Sequence, residues 1–258
     1  MPILPQPMRD IFRSWLAELG GLALLGADTL RQAFRRPFER TLWIDQLEHL
    51  GVQSLTITNV TLLFTGMVLA VQTAYSLSSY GGESFVGNLL ALAIVRELGP
   101  VLTALMVAGR VGAGITAEIG SMTVTEQVDA LRVLAASPVK KLVVPRVGAL
   151  VVALPLLTIL ADVMGLFGGL VMAITDIGQS RAYFISHILL ALRIEDLVSG
   201  IGKTFFFAFF IGVIACYNGL NATGGADGVG RATTNTVVSA SIAIIISDFF
   251  LTKIFLMF

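Results

Sequence analysis

The stretch LGVQSLTITNVTLLFTGMVLAVQTAYSLSSYGG, Leu50–Gly82, contains no charged residue. A helix needs about 20 apolar residues to cross the hydrocarbon core of a bilayer, and one fits at Val52–Leu77. Ser76, Ser78, Ser79, Tyr80, Gly81 and Gly82 then read as a loop. On this reading the chain is a membrane protein, and its composition agrees. Of 258 residues, 55% are hydrophobic and 13% charged, with mean hydropathy +0.85; soluble domains carry roughly 25% charged residues.

Four further spans follow: Phe85–Ala117, interrupted by Arg96, Glu97 and Pro100; Leu142–Ile174, with Asp162 at its middle; Leu197–Tyr217; and Val237–Phe258, with Asp248 inside. Pro100 is expected to kink or break its helix. Asp176–Asp196 is polar and aromatic, and Asn218–Thr236, rich in Gly, Asn and Thr, is expected to be a loop. Upstream, Arg9 to about Arg36 repeats apolar residues at helical spacing, with charges mixed in. PFERTLWIDQLEHLG places Pro37 at a first helical position and Gly51 just past the end. Both segments read as helices in or near the interface, with Trp15 and Trp43 at headgroup depth; a solvated hairpin is the alternative. The opening MPILPQPMRD shows no cleavable signal pattern. The expected architecture is all-α and polytopic. Residues 1–51 form the interfacial helices, and residues 52–258 a transmembrane domain of about five spans with a connecting helix at about 120–136.

Lys and Arg set the orientation. Arg9, Arg13, Arg31, Arg35, Arg36 and Arg40 precede the first span, and none lies between the first and second. Arg110, Arg132, Lys140, Lys141 and Arg146 fall between the second and third; Arg181 and Arg193 are alone in the next loop. The N-terminus and residues 120–136 are therefore expected in the cytoplasm.

Several functions find no support. Net charge is zero, so nothing points to nucleic acid. Cys216 is the only cysteine, and His49 and His187 are far apart, so no metal site is expected. Gly202-Lys203-Thr204 resembles the tail of a phosphate-binding loop, but Leu197 stands where that motif needs Gly, and no strand precedes it. Neither a nucleotide site nor catalytic chemistry is expected in this chain.

Between the second and third spans lies AEIGSMTVTEQVDALRVLAASPVKK, Ala117–Lys141. Thr123-Val-Thr-Glu126 has the pattern of a capping box, with reciprocal bonds between Thr123 and Glu126. Val124, Val128 and Leu131 then share one face, Glu126 and Asp129 stand beside it, and Pro138 is expected to end the run. Such a helix can fit a groove of a partner or pack on its own bundle.

Arg96-Glu97-Leu98-Gly99-Pro100 is the second feature. Charges inside a span cost several kcal/mol and mark functional sites. Adjacent Arg and Glu do not face each other on a helix, so each needs another partner, and Pro100 frees a carbonyl nearby. Arg96 could hold an anionic headgroup through its forked donors, or join an ion pair between helices. Asp162 and Asp248 could relay protons or ions, or hydrogen-bond to neighbouring helices. Small residues form two stripes, Gly109/Ala113/Ala117 and Gly112/Thr116/Gly120, and Gly165 and Gly169 repeat the spacing; all permit close helix packing.

The block RELGPVLTALMVAGRVGAGITAEIGSMTVTEQVDALRVLAASPV, Arg96–Val139, closely resembles the MlaE (YrbE) permease family, the membrane subunits of MCE-type phospholipid ABC transporters of Gram-negative bacteria. The resemblance extends over most of the chain. It implies a homodimeric permease in the inner membrane that moves phospholipid to and from periplasmic carriers and maintains outer-membrane lipid asymmetry. It implies as partners a cytoplasmic ATPase (MlaF-like) that binds the ATP and Mg, a STAS-domain protein (MlaB-like) and a periplasmic MCE hexamer (MlaD-like). No cofactor is implied in this chain. By the same resemblance, the coupling helix that meets the ATPase comprises Thr123, Val124, Glu126, Gln127, Val128, Asp129 and Leu131. The lipid cavity would be lined by Leu69, Gln72, Thr73, Ser76, Leu77 and Tyr80, facing Arg96, Glu97 and Leu98. Two competing readings are an ion-coupled secondary transporter using Glu97, Asp162 and Asp248, and a membrane scaffold that does not transport.

Overall fold

The computed structural model describes residues 6–33, 40–255 and 257. Among these residues there is no strand. Helix α1 is Gln6–Ala33 and α2 is Arg40–Gly51. A 3₁₀ turn, Val52–Ser54, joins α2 to α3, Leu55–Ser78. Then follow α4, Val86–Val124; α5, Gln127–Val133; α6, Val139–Thr175; α7, Arg181–Ala191; α8, Ile194–Leu220; and α9, Gly225–Phe255. Five of them, α3, α4, α6, α8 and α9, are long and apolar enough to cross a membrane. In lipid every backbone N–H and C=O must be satisfied internally, which is why apolar runs of this length become helices. The expectations for Pro37, Arg35, Arg36, Phe258 and the side chain of Trp15 lie outside the described residues.

α4, with 39 residues, is roughly 58 Å long at 1.5 Å per residue, about twice the hydrocarbon thickness. It therefore projects beyond the membrane and delivers α5 outside it.

The most extensive packing joins α3 to α6. A Cβ at Gly66 would strike the carbonyl of Gly165, and one at Gly168 the carbonyl of Leu63. Only glycine allows two backbones this close, and in lipid such contact replaces hydrophobic burial as the source of helix association. The stripe Gly112/Thr116/Gly120 turns inward: Gly112 meets Ile211, and Gly120 meets Ala222 and Val229. Gly109 meets nothing within 4 Å, and so its stripe points away from the chain's own core. One core cluster sits around Val107, Ile115, Leu150, Phe207 and Ile211. A second lies towards the α7 end, around Leu90, Ile94 and Phe184.

Three sequence expectations are corrected. Pro100 does not break α4. A π-turn, Ile94–Leu98, immediately precedes it, and the helix continues through both. Asn218–Thr236 is not a loop, because α8 runs to Leu220 and α9 starts at Gly225, with Gly224 (φ 91°) and Gly225 (φ 66°) making the turn. Its Asn and Thr residues are the polar contacts of closely packed helices: Thr236 Oγ1 lies 2.8 Å from Thr116 Oγ1 and accepts from Asn218 Nδ2 at 2.9 Å. The polar Asp176–Asp196 segment holds α7, capped by Ser180, whose hydroxyl accepts from the Tyr183 amide. Pro138 does not end the helix before it. α5 stops at Val133, Ala135 turns left-handed (φ 56°), and Pro138 caps the start of α6.

Candidate functional site

Arg96 and Glu97 each find a partner on another helix. Arg96 Nε lies 3.0 Å from Asp196 Oδ1 of α8. Lys203 Nζ, also on α8, donates to Glu97 Oε2 at 2.7 Å, to Thr252 Oγ1 of α9 at 2.6 Å and to the Arg96 carbonyl at 3.1 Å. That carbonyl is the one Pro100 leaves free, since proline has no N–H to return to it. Asp248 Oδ1 stands 3.0 Å from Nζ, close enough for charge pairing but without hydrogen-bond alignment. The cluster holds two cations and three carboxylates and ties α4 to α8 and α9. Its exposure is graded: the Lys203 side chain is 0% exposed, that of Arg96 36% and that of Glu97 40%. The buried lysine organises the centre, while the guanidinium and one carboxylate reach the surface of the bundle.

The residues expected to form a lipid wall on α3 fall in different surroundings. Leu69 and Gln72 line an open groove of about 350 Å³ with Phe64, Thr65 and Val68. Gln72 also borders a neighbouring groove of about 530 Å³ with Met67, Val68, Val71, Tyr75 and Met172. Leu77 packs instead on the second core cluster, Thr73 is half-buried, and Ser76 and Tyr80 are exposed. Neither groove includes Arg96, Glu97 or Leu98. Phe64, Val68 and Tyr75, which the sequence reading missed, form an exposed face of α3 with Ile57 and Val60. Their spacing of three and four was the available signal.

The coupling segment differs from expectation in detail. There is no capping box. Thr123 belongs to the end of α4, where its hydroxyl donates to the carbonyls of Ile119 (2.8 Å) and Gly219 (3.1 Å). Glu126 is left-handed (φ 62°) at the N-cap of α5 and makes no side-chain cap bond. The apolar face also turns inward: Val128 is 2% exposed and Leu131 packs on the core. The outward side carries Gln127, Asp129 and Arg132 and ends in Val133 and Leu134, which are 87% and 76% exposed. Asp129 accepts from Arg132 at 2.7 Å. Val133 and Leu134 escaped the sequence reading because Pro138 suggested a longer helix.

A chain of polar contacts runs near α5. Arg110 donates to Gln53 Oε1 and Ser54 Oγ, each at 2.8 Å. Gln53 Nε2 lies 3.2 Å from His49 Nδ1, and His49 Nε2 lies 3.7 Å from Glu118 Oε1. Glu118 Oε2 pairs with Arg146 at 3.0 Å. These contacts connect α2 and the start of α3 with α4 and α6. No motif announced them, because their members come from four separate segments.

The fold and the site define a multi-pass helical membrane protein with a charged cluster between its spans and a short helix held outside them. The model of the Permease MlaE family matches residues 43–254, and the chain belongs to that family. It is 39% identical over 246 residues to the intermembrane phospholipid transport system permease protein MlaE of Haemophilus influenzae, covering 95% of this chain and 93% of that one. It is 40% identical over 238 residues to a probable ABC transporter permease protein of Rickettsia conorii, covering 92% of each. A chloroplast protein of Arabidopsis thaliana, TRIGALACTOSYLDIACYLGLYCEROL 1, is 40% identical over 212 residues, 82% of this chain and 61% of that protein.

Proposed function

We propose that this chain is the permease subunit of an ABC transporter that moves phospholipid between the inner membrane and periplasmic carriers, and so maintains outer-membrane lipid asymmetry. It works as a homodimer, with its N-terminus in the cytoplasm. ATP and Mg belong to a separate MlaF-like ATPase, which a STAS-domain MlaB-like protein accompanies; an MlaD-like MCE hexamer stands on the periplasmic side. The relative from Haemophilus influenzae, named for phospholipid transport and similar almost end to end, supports the substrate class. The bias of Lys and Arg supports the orientation.

The observation that carries the reading is the graded exposure of the charged cluster. Asp196 occupies Arg96 Nε, and the two terminal amino groups of a guanidinium keep the remaining donors for a lipid phosphate. The exposed apolar face of α3, with Gln72 and Tyr75 along it, suits acyl chains. Within one chain these two surfaces share no groove, so a second copy is required to bring them to one lipid. The outward Gly109/Ala113/Ala117 stripe permits such an approach. ATP-driven closure of the partner pulls on α5 through Asp129, Val133 and Leu134.

The test is purification with co-expressed neighbours, mass spectrometry of bound proteins and lipids, and a vesicle-to-carrier lipid-transfer assay. Co-purifying ATPase and phospholipid, with lipid lost in Arg96→Ala, are expected. A stable, lipid-free chain whose transport follows an ion gradient without ATP would overturn the reading.

A further inference from the structure

Asp162 stands apart from the charged cluster. It lies in the middle of α6, is 6% exposed, and its Oδ1 has no hydrogen-bond partner among the described residues. It presses against Gly99, where any Cβ would collide with that oxygen. Asn59 Oδ1 and Thr103 Oγ1 are also buried and without a partner among the described residues.

Helix register brings the three together. α4 and α6 run antiparallel, with Leu90 on Gly169, Ile94 on Gly165 and Gly99 on Asp162. One turn beyond Gly99, Thr103 therefore falls beside Thr158, one turn from Asp162. The run from α2 into α3 lies parallel to α6, with Trp43 on Gly148, Gly51 on Ala153 and Gly66 on Gly165. Asn59 shares the stripe of Leu63 and Gly66, and two turns before Gly66 it too reaches the level of Thr158. Three buried oxygens without partners, on three mutually packed helices, thus fall within about one helical turn of one another. Buried polar groups are otherwise satisfied almost without exception.

Charge decides what belongs there. A lone carboxylate inside a span needs a counter-charge. α3 has no charged residue. On α6 the nearest one towards its start is Arg146, roughly 24 Å away along the helix, and it is paired with Glu118. On α4, Arg96 and Glu97 are committed to Asp196 and Lys203 of α8. α8 and α2 also pack on α6, but Lys203 of α8 is held by Glu97 and Asp248 and His49 of α2 lies against Glu118, so no ion pair among the described residues reaches Asp162. One positive charge balances it; a divalent ion would leave an excess. The donors are a carboxylate, an amide oxygen and a hydroxyl, all hard oxygens suited to a hard cation. The adjacent π-turn, Ile94–Leu98, is a feature frequent at functional sites.

We propose that Asp162, Asn59 and Thr103 form a binding site for one monovalent cation, a sodium ion or a proton, at the junction of α3, α4 and α6. The cation joins the three helices and stabilises their packing. The site is independent of the transport reading.

The test is thermal unfolding of the full chain in phospholipid nanodiscs, with sodium, potassium or choline as the chloride salt, and across acid to alkaline pH. A ligand that binds only the folded state raises its stability by mass action. If sodium is the ion, Tm rises in sodium relative to choline by at least about 3 °C, and Asp162→Asn abolishes the rise. If the proton is the ion, Tm is indifferent to sodium and falls as pH increases, and Asp162→Asn flattens that fall. Thr103→Val and Asn59→Leu, which keep the side-chain volume, should weaken whichever response appears, and they carry the test if Asp162→Asn fails to fold. An equal response to sodium and to pH in the wild type and all foldable variants, or none at all, would overturn the proposal. No lipid readout is involved, so failure here leaves the transport reading standing.

Discussion

Removing the ammonium of Lys203 should cost more than removing any other single charge of the chain. Lys203→Met keeps the length and apolar stem but deletes three hydrogen bonds, to Glu97, Thr252 and the Arg96 carbonyl, and the 3.0 Å pairing with Asp248. The cluster changes from two cations and three carboxylates to one cation and three. Breaking a buried ion pair by deleting one partner costs about 3–5 kcal/mol. Glu97 is partly exposed and water relieves some of its loss, so the lower end, about 3 kcal/mol, is the expected value. For a chain of this size that is a Tm lower by roughly 6–12 °C, read by thermal unfolding in nanodiscs. The triple variant Glu97→Gln/Lys203→Met/Asp248→Asn removes the stranded charges and should recover most of the loss, because replacing a whole buried ion cluster is often neutral or better. Lys203→Met as stable as the wild type, or a triple variant no better than the single one, would refute the account of Lys203 as the organising charge.

Gly66→Ala should destabilise by about 1–3 kcal/mol through overpacking, since the added methyl meets the Gly165 carbonyl, whereas Gly114→Ala, with open space around it, should be neutral in the same unfolding assay. Val133→Asp and Leu134→Asp should leave the unfolding free energy within about 0.5 kcal/mol of the wild type, as exposed substitutions do, yet abolish capture of the ATPase in a pull-down; Val128→Ala, at a buried position, should do the reverse. Glu118→Gln should loosen α2 and α4 against α6, seen as faster amide exchange around His49 and Arg146, because it removes the partner of both residues. Arg96→Gln should keep the fold while lowering retained phospholipid in the purified protein.

Some of this was written along the chain. Leu50–Gly82 could only be a span, because lipid excludes charge and leaves a long apolar segment no conformation but a helix. Arg96 and Glu97 announced that each needed a partner elsewhere, since adjacent residues on a helix diverge. Both statements depend on a residue and its near neighbours. The partners themselves were not legible. Lys203 looked like the remnant of a phosphate loop, and only the packing of α8 against α4 makes it the centre of a charged cluster. Thr123 and Glu126 matched a cap by spacing, but Gly219 of a distant helix claims the Thr123 hydroxyl. Val128 and Leu131 announced an apolar face without saying whether it belonged to this bundle or to another protein. Asn218–Thr236 had the composition of a loop, but its small and hydroxyl-bearing residues serve close packing between helices. Asp162, Asn59 and Thr103 lie far apart along the chain, and the register of three helices, fixed by glycine contacts, brings them within about one turn of one another. Local rules reach only a turn or two; which face meets which neighbour is set by close packing between elements that the chain separates.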